Sequence, residues 1–403
     1  MRPFDGRRIL LVVSGGISAY KSVILVRRLR EAGAAVDVLM TGAAERFVGP
    51  VTFEALAGRP VHRDLWERPL AHIELGRDAD LAIVAPATAD LLSAMAQGRA
   101  GDLASATLLA AACPVLACPA MNSRMWRHPA TRANVELLRA RGVHLCGPED
   151  GPLAEDETGP GRMAEPERIL REAGRRLEAG SSLAGRKVVV TAGPTRSAVD
   201  PVRYLGNRST GRMGFELAAS AWRRGAEVVC IHGPGAAPPP LGPRLVPVET
   251  TRDMLRELET ALDGASVLLM AAAVGDFEIA EPRPEKWRKE EAGDGSIALA
   301  LRRTPDLLEE TREARKTGGV LTLAFALETE RDIGRVRRKL ERKGADLIAL
   351  NLAGRPGEGF EADTNRVTLV DADGNVDELP LLPKPEVADR LLDRLEARLR
   401  PGS

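Results

Sequence analysis

The sequence predicts two α/β domains, the first a doubly wound parallel sheet flanked by helices. Chain length, a regular alternation of short β-rich runs with helical stretches, and a break in the text near the middle all point to this. At 403 residues the chain exceeds the size at which one hydrophobic core keeps growing, so two domains of about 200 residues are expected. In the first half, Ile9 to Val13, Val36 to Met40, Leu81 to Ala85 and Val115 to Cys118 read as strands separated by helical segments. Around Arg175 to Gly185 the text becomes RRLEAGSSLAG, a charged helix end running into a Gly/Ser segment. Lys187 to Thr191 then opens a fresh strand. The alternation repeats at Val228 to Ile231, Ser266 to Ala272, Val320 to Phe325 and Asp346 to Leu350. The expected domains are residues 1–180 and 186–403. Gly233 to Pro243 reads as a surface loop, and Glu278 to Gly295, dense in Pro, Glu and Lys, as a mobile flap.

Composition narrows the function classes. Apolar residues make up 44% and charged residues 28%, as in ordinary globular proteins, so disorder is not expected. Lys plus Arg and Asp plus Glu both total 57, which leaves no net positive field for nucleic acid, so any anion is bound locally. The most apolar run, Ala106 to Met121, is broken by Pro114 and Pro119 and is too short to span a bilayer. The start, MRPFDGRR, leads straight into a strand and does not resemble a signal peptide, so a cytoplasmic enzyme without membrane partners is expected. Cys113, Cys118, Cys146 and Cys230 follow no metal-ligand spacing and predict neither disulfides nor structural zinc.

In the second half, the strand from Lys187 runs into Ala192-Gly193-Pro194-Thr195-Arg196, then Asn207-Arg208-Ser209-Thr210-Gly211-Arg212-Met213-Gly214 and a helix. A strand, a glycine turn and a helix start together offer backbone N–H groups to an anion, and Ser209 and Thr210 add hydroxyls. The same text also reads as a capped helix behind a structural turn. The chain uses Arg at nearly every basic position, yet Lys286, Lys289, Lys339 and Lys343 remain lysine. Lys339 and Lys343 share a helix face, where two cations repel unless an anion lies between them; a solvated face is the competing reading.

These elements, with AAAVGDF (Ala271 to Phe277), Lys286-Trp287-Arg288-Lys289, Thr304-Pro305-Asp306, AFALET (Ala324 to Thr329), Phe360 and Asp363-Thr364-Asn365, closely resemble phosphopantothenate-cysteine ligase. The resemblance implies a Rossmann-like ligase domain. In it CTP activates the carboxylate of 4'-phosphopantothenate as an acyl-cytidylate, with Mg2+, and L-cysteine displaces CMP. By position it implies that Asn207 stabilises the acyl-cytidylate and that Asp276, Lys286, Phe325, Lys339 and Lys343 bind CTP. Ala271, with Pro305 and Asp306, lines the nucleotide pocket. Joining a carboxylate to an α-phosphate brings two anions together, which lysines and Mg2+ neutralise. No metal ligands are assigned. The element usually similar to KIKK has Trp287 and Arg288 at its middle positions, which bears on how the flap closes.

In the first half, Val13-Ser14-Gly15-Gly16-Ile17-Ser18-Ala19-Tyr20-Lys21 follows the first strand and opens a helix, a phosphate-binding arrangement without the G-x-G-x-x-G spacing of dinucleotide sites. A mononucleotide is the expectation. Thr41 and Thr88 lie at the carboxyl ends of the second and third strands, where such sheets bind ligands. Each of these segments alone is also an ordinary turn. With His72-Ile73, Ala85-Pro86-Ala87-Thr88, Pro119-Ala120-Met121-Asn122 and Gly159-Pro160-Gly161-Arg162-Met163, residues 7–180 resemble the flavin-dependent cysteine decarboxylases.

That resemblance implies a flavodoxin-like three-layer sandwich. FMN, held by Gly15, Gly16, Ser18, Thr41 and Thr88, oxidises the thiol of phosphopantothenoylcysteine, CO2 leaves, and the enethiol is reduced to 4'-phosphopantetheine. His72 is then the base, and Asn122 binds the substrate carboxylate. Taken alone, His72 reads as structural and Asn122 as a helix cap. The family's clamp usually reads LACG with a proton-donating cysteine, whereas this chain has Leu153-Ala154-Glu155-Asp156. Glu155 can donate if closure desolvates it and raises its pKa; otherwise another acid or water serves.

The whole is thus expected to be a bifunctional enzyme of coenzyme A biosynthesis. The alternative is a ligase whose N-terminal half is only an oxidative decarboxylase or a regulatory flavoprotein. A homo-oligomer combining trimer and dimer contacts, up to a dodecamer, follows from the same resemblance.

Overall fold

The structure is a computed structural model. It describes residues 3–152, 157–288, 297–352, 359 and 361–399. Glu155, Lys289 and Phe360 lie outside the described residues. The chain divides into two compact units, residues 1–179 and 180–403.

The first unit runs β1 (Arg8–Val13), α1 (Ala19–Glu31), β2 (Ala35–Met40), α2 (Pro50–Ala57), α3 (Ala71–Asp78), β3 (Leu81–Ala87), α4 (Ala89–Gln97) and α5 (Leu103–Ala110). It continues through β4 (Val115–Pro119), α6 (Ser123–Arg127), α7 (Pro129–Ala140), β5 (His144–Leu145), β6 (Glu149–Pro152), β7 (Thr158–Arg162) and α8 (Pro166–Leu177). Five parallel strands form one sheet in the order β2-β1-β3-β4-β5, the flavodoxin-like order. Its strands are apolar along their whole length because both faces are covered. Ile9, Leu11 and Val13 pack with α1, α2 and α8, while Leu10 and Val12 pack with α3, α4, α5 and α7. Neighbouring strands β1 and β3 leave the sheet toward opposite sides, and that switch opens a crevice at their carboxyl ends.

The second unit runs β8 (Lys187–Ala192), β9 (Arg196–Ala198), β10 (Tyr204–Gly206), α9 (Arg212–Arg223), β11 (Glu227–His232), β12 (Arg244–Pro247), α10 (Thr251–Leu262), β13 (Val267–Met270), β14 (Phe277–Ile279) and β15 (Leu301–Arg303). It ends with α11 (Leu307–Glu310), α12 (Arg312–Thr317), β16 (Leu321–Glu328), α13 (Ile333–Lys343), β17 (Leu347–Leu352), β18 (Thr364–Asn365), β19 (Thr368–Asp371), β20 (Val376–Glu378), β21 (Leu382–Pro383) and α14 (Lys384–Leu399). Its main sheet has the order β12-β11-β8-β13-β16-β17-β19-β20. The first six are parallel, and β19 and β20 add an antiparallel edge. Here the chain reverses direction across the sheet between β8 and β13, a Rossmann-like switch point. α9 and α14 cover one face, and α10 and α13 the other.

Two sequence expectations differ in detail. The expected strand Ser266 to Ala272 is shorter, because after Met270 the chain turns out to line a cavity. The segment read as a flap from Glu278 begins inside a hairpin, β14 pairing antiparallel with β15. Trp287 further ties its described part down: its N–H donates to Asp200 Oδ2 at 3.2 Å and its carbonyl accepts from Arg203 at 2.8 Å.

α14 is fastened to α9 by buried charge. Arg224, only 2% exposed, donates to Glu396 Oε1 at 2.7 Å and to the Asp389 carbonyl at 2.9 Å. Burial pushes the Glu396 carboxyl up, but Arg224 and the hydroxyls of Ser181 and Ser182 outweigh it and hold its pKa below the usual range. A lowered folded-state pKa stabilises the fold above the unfolded value and loses that contribution as pH falls through the folded one. Arg224→Met strands Glu396 as a buried carboxylate and is expected to cost about 3 kcal/mol at neutral pH in urea unfolding, a difference that shrinks below about pH 4.

Candidate functional site

Two cavities collect the polar residues, one in each unit. In the first unit, a cavity of about 790 Å³ lies at the carboxyl ends of β1, β2, β3 and β4. Its lining includes Gly15, Gly16, Ser18, Thr41, Thr88 and Asn122, each at the end of a strand or the start of a helix. Gly15 is required by space: a Cβ there would stand 2.5 Å from Ala43 Cβ and 2.7 Å from its carbonyl carbon. The loop therefore lies against the chain after β2, leaving room in front of it. Ser14 Oγ donates to the Pro86 carbonyl at 2.7 Å, which locks the loops after β1 and β3 together. Thr88 caps α4 through its hydroxyl, and Asn122 caps α6, its side chain accepting from Arg124 N–H at 2.7 Å. Capping and cavity lining are thus one placement for Asn122.

The far wall comes from β7. Lys21 of α1, 5% exposed, donates to the Met163 carbonyl at 3.1 Å and to Glu165 Oε1 at 2.9 Å. Arg162 also reaches Glu165, at 2.5 Å. Lys21, opposed by some burial and helped by Arg162, holds the Glu165 carboxyl below its ordinary pKa. Sequence reasoning did not single out this network or Arg99 and Asp102, which also line the cavity.

His72 is elsewhere. On α3, it lines a separate apolar cleft of about 610 Å³ with Leu65, Trp66, Pro69, Leu70 and Leu109. Its Nδ1 is buried and has no hydrogen-bond partner among the described residues. Around it Trp66 is 87% exposed and Leu70 64%, an unusual surface for bulky apolar side chains.

In the second unit, a cavity of about 880 Å³ opens at the carboxyl ends of the central strands. It gathers Asn207, Ala271, Asp276, Pro305, Asp306, Phe325, Lys339 and Lys343. Asn207 Nδ2 donates to the carbonyls of Ala273 at 3.0 Å and Val274 at 3.1 Å. Both partners can only accept, so the amide orientation is set and Oδ1 is the acceptor that remains. Thr195 and Thr304 clasp Gly275, through its N–H at 3.0 Å and its carbonyl at 2.6 Å, and thereby shape the turn that carries Asp276. Gly211, at φ 83°, starts α9 in a left-handed conformation beside Ser209 and Thr210.

The lysines of α13 are held by acids. Lys343 Nζ lies 2.8 Å from Asp306 Oδ2 and Lys339 Nζ lies 3.4 Å from Glu328 Oε1. Burial raises Asp306, yet Lys343 and the N–H groups of Leu308 and Glu309 outweigh it and keep its carboxyl below the ordinary range. Lys286 is not brought to this cavity; it is exposed, on the segment that Asp200 and Arg203 fasten. Missing from the sequence reading were Asn351 and Lys384, both in the lining, where Arg212 stands too, named before only within the Asn207 to Gly214 segment. Asn365 also lies there, quoted before only as part of a motif. Among the described residues no group of three or more His, Cys, Asp or Glu side chains could hold a metal. None of the described helices is long and apolar enough to cross a membrane.

Comparison with known proteins agrees with this two-part layout. Residues 2–178 match the model of the family described as Flavoprotein, and residues 183–399 that of the DNA/pantothenate metabolism flavoprotein C-terminal domain. The chain is 40% identical over 400 residues to the coenzyme A biosynthesis bifunctional protein CoaBC of Bacillus subtilis, covering 98% of this chain and 97% of that one. The protein of the same description from Escherichia coli is 40% identical over 397 residues, with 98% and 97% covered. Among solved structures, the C-terminal domain of such a CoaBC protein is 34% identical, covers 54% of this chain and 98% of its own, and gives a TM-score of 0.46. Matched from end to end by these relatives, the chain belongs to the family of bifunctional coenzyme A biosynthesis proteins.

Proposed function

We propose that residues 186–403 ligate L-cysteine to 4'-phosphopantothenate using CTP, and that residues 1–180 decarboxylate the product with FMN. The observation that supports this most is the convergence of Asn207, Asp276, Asp306, Phe325, Lys339 and Lys343 on one cavity, in a chain that matches bifunctional relatives over its full length.

In the ligase unit, the substrate carboxylate attacks the α-phosphate of CTP and pyrophosphate leaves; the cysteine amine then attacks the acyl carbon, loses its proton, and CMP leaves. Lys339 and Lys343 sit where that reaction needs positive charge, and each already has an acid to release when a phosphate arrives. Phe325 and Ala271 offer apolar surface for the base, and Asn207 Oδ1 accepts from the acyl group's amide or hydroxyl. Mg2+ is carried on the triphosphate, as suits an ion that keeps phosphate and water ligands rather than a protein cage.

In the first unit, the cavity's size, the close-packed Gly15 and the hydroxyls of Ser18, Thr41 and Thr88 fit a flavin mononucleotide. When bound, the flavin supplies the oxidation and reduction at the cysteinyl thiol carbon. Asn122 orients the substrate carboxylate, and the tie from Lys21 to Met163 and Glu165 fixes the strand that leads out of the clamp. The separation of His72 from this cavity, within an exposed apolar patch, supports a trimer-based homo-oligomer in which His72 of one copy faces the glycine loop of another. Dimer contacts through the ligase units would extend this to a dodecamer. A cytoplasmic location suits these substrates. The bifunctional relatives do not support the alternative in which the N-terminal half is only an oxidative decarboxylase or a regulatory flavoprotein.

Mass-spectrometric analysis of products from 4'-phosphopantothenate, cysteine, CTP and Mg2+ is expected to show 4'-phosphopantetheine and CMP; accumulation of phosphopantothenoylcysteine would refute the decarboxylase half. If Glu155 donates the last proton, Glu155→Gln gives the unreduced enethiol instead. Gly15→Ala forces its Cβ into Ala43 and is expected to yield colourless protein that keeps ligase activity, read from the visible flavin spectrum. Trp66→Asp places a charge in the patch beside His72 and is expected to reduce the particle mass in light scattering and abolish decarboxylation.

A further inference from the structure

Asp306 and Lys343 face the ligase cavity, but a residue behind its wall holds the elements that carry them. Arg315 lies in α12, is only 2% exposed and takes no part in the cavity lining. A guanidinium carries five N–H donors, and in Arg315 each has an acceptor. Nε donates to Thr311 Oγ1 at 3.3 Å. Nη1 donates to Thr322 Oγ1 at 3.1 Å and to the Gly344 carbonyl at 2.7 Å. Nη2 donates to the carbonyls of Leu308 and Lys343, both at 2.7 Å.

None of these acceptors is a carboxylate. Burial acts against the charge of Arg315, Asp346 favours it, Arg312 opposes it and Asp306 favours it from a distance, with burial prevailing. The end of α13 explains how the cation is kept. Its last carbonyls have no partner within the helix and form the negative end of its dipole, and Gly344, at φ 56°, turns the chain away there. Arg315 caps that end with two of its donors and reaches α11 with a third.

These bonds close a ring around the ion pair. Asp306 is the N-cap of α11: its Oδ1 accepts from the N–H of Leu308 at 3.1 Å, and its Oδ2 lies 2.8 Å from Lys343 Nζ. Leu308 thus holds Asp306 by its N–H and Arg315 by its carbonyl. Lys343 meets Asp306 by its ammonium and Arg315 by its carbonyl. A single nitrogen, Nη2, therefore fixes both sides of the pair from behind. Little else anchors α13, since only Val336 and Leu340 of its eleven residues are buried. The remaining ties near its end, Arg342 to Glu309 at 3.1 Å and Arg312 to the Arg342 carbonyl at 3.3 Å, are solvent-exposed and hold weakly.

We propose that Arg315 is a positioning residue of the ligase, which sets the spacing of Asp306 and Lys343 that CTP meets and so governs the affinity for the nucleotide without touching it. This rests on the reading of those two residues as part of the CTP site. Lysine in place of Arg315 has three donors and a shorter reach, and methionine has none, so the two substitutions grade the tie while keeping a long side chain in the same space.

Steady-state kinetics of the full chain, with ligation followed as pyrophosphate release, test it. Arg315→Met is expected to raise the KM for CTP about 30-fold, to change kcat less than about threefold, and to leave the KM for 4'-phosphopantothenate and for cysteine within about twofold. Arg315→Lys is expected to give a rise of about fivefold for CTP alone. Destabilisation without a positioning role would lower the active fraction, and with it the apparent kcat, while sparing KM. In a Lys343→Met background, Arg315→Met is expected to raise the CTP KM no more than about threefold, because the group it acts through is gone. Should Arg315→Met fail to fold, Arg315→Lys carries the same comparison. An unchanged CTP KM, an equal rise for all three substrates, or full additivity with Lys343→Met overturns the proposal. Failure of the ligase reading is distinct: the wild-type protein would then form no phosphopantothenoylcysteine at all.

Discussion

Both sites depend on the direction of the buried strands. In each unit the central strands are parallel and covered on both faces, so most of their return connections cross over by a helix and their carboxyl ends share one edge. Loops at that edge cannot be packed between layers, and they leave backbone N–H groups and short polar side chains facing a crevice. At the switch points, between β1 and β3 and between β8 and β13, neighbouring connections diverge and the crevice widens into a cavity. Gly15, Thr41, Thr88 and Asn122 in one unit, and Ala271, Phe325 and Asn351 in the other, are neighbours only because this geometry collects strand ends. Their spacing in the sequence, tens of residues apart, is the length of a helix and two turns.

The strands were legible because continuous apolar runs bounded by Gly and Pro are what a sheet buried on both faces requires. Ile9 to Val13 and Val36 to Met40 differ from the observed strands by one residue at the start. Ser266 to Ala272 misled because Ala271 and Ala272 continue the apolar text while lining a cavity rather than a sheet. Residues near strand ends were legible as candidates through the same rule. His72 was named from its motif, but no local pattern shows that α3 turns it onto a separate apolar cleft. Lys286 similarly belongs to a polar stretch whose position is set by distant Asp200 and Arg203, a tertiary constraint without a periodicity.

Lys384 shows the opposite failure. In the sequence it stands in LLPKPEVADR, between two prolines at a helix start, and nothing local distinguishes it from an exposed capping-region cation. Its character comes from the ladder β18–β21, which draws it inside, and from α9, whose head carries Arg212 toward the same point. The tie between α9 and α14 through Arg224, Asp389 and Glu396 fixes the two helix heads relative to each other. A stabilising charge cluster deep in the layer therefore sets the spacing of polar groups at its rim.

The choice of cation carries the last step. Only eight of the 57 basic residues are lysine, and Lys21, Lys339, Lys343 and Lys384 line the two cavities. Elsewhere arginine makes the ion pairs, as in Arg7 with Asp80, Arg59 with Asp37 and Arg394 with Asp377. A guanidinium stays charged and spreads its donors over a plane, which suits fixed pairing with a carboxylate. An ammonium is compact, exchanges partners within a small space, and changes protonation when it is desolvated. Where a cation must pass from an acid to an incoming phosphate, as Lys343 beside Asp306 and Lys339 beside Glu328 are placed to do, the second chemistry fits. Four of the eight lysines thus stand where a compact cation faces a cavity, beside Arg162, Arg212 and Arg342 in the same linings, and the wide-spread guanidinium pairs are left to fasten the surface.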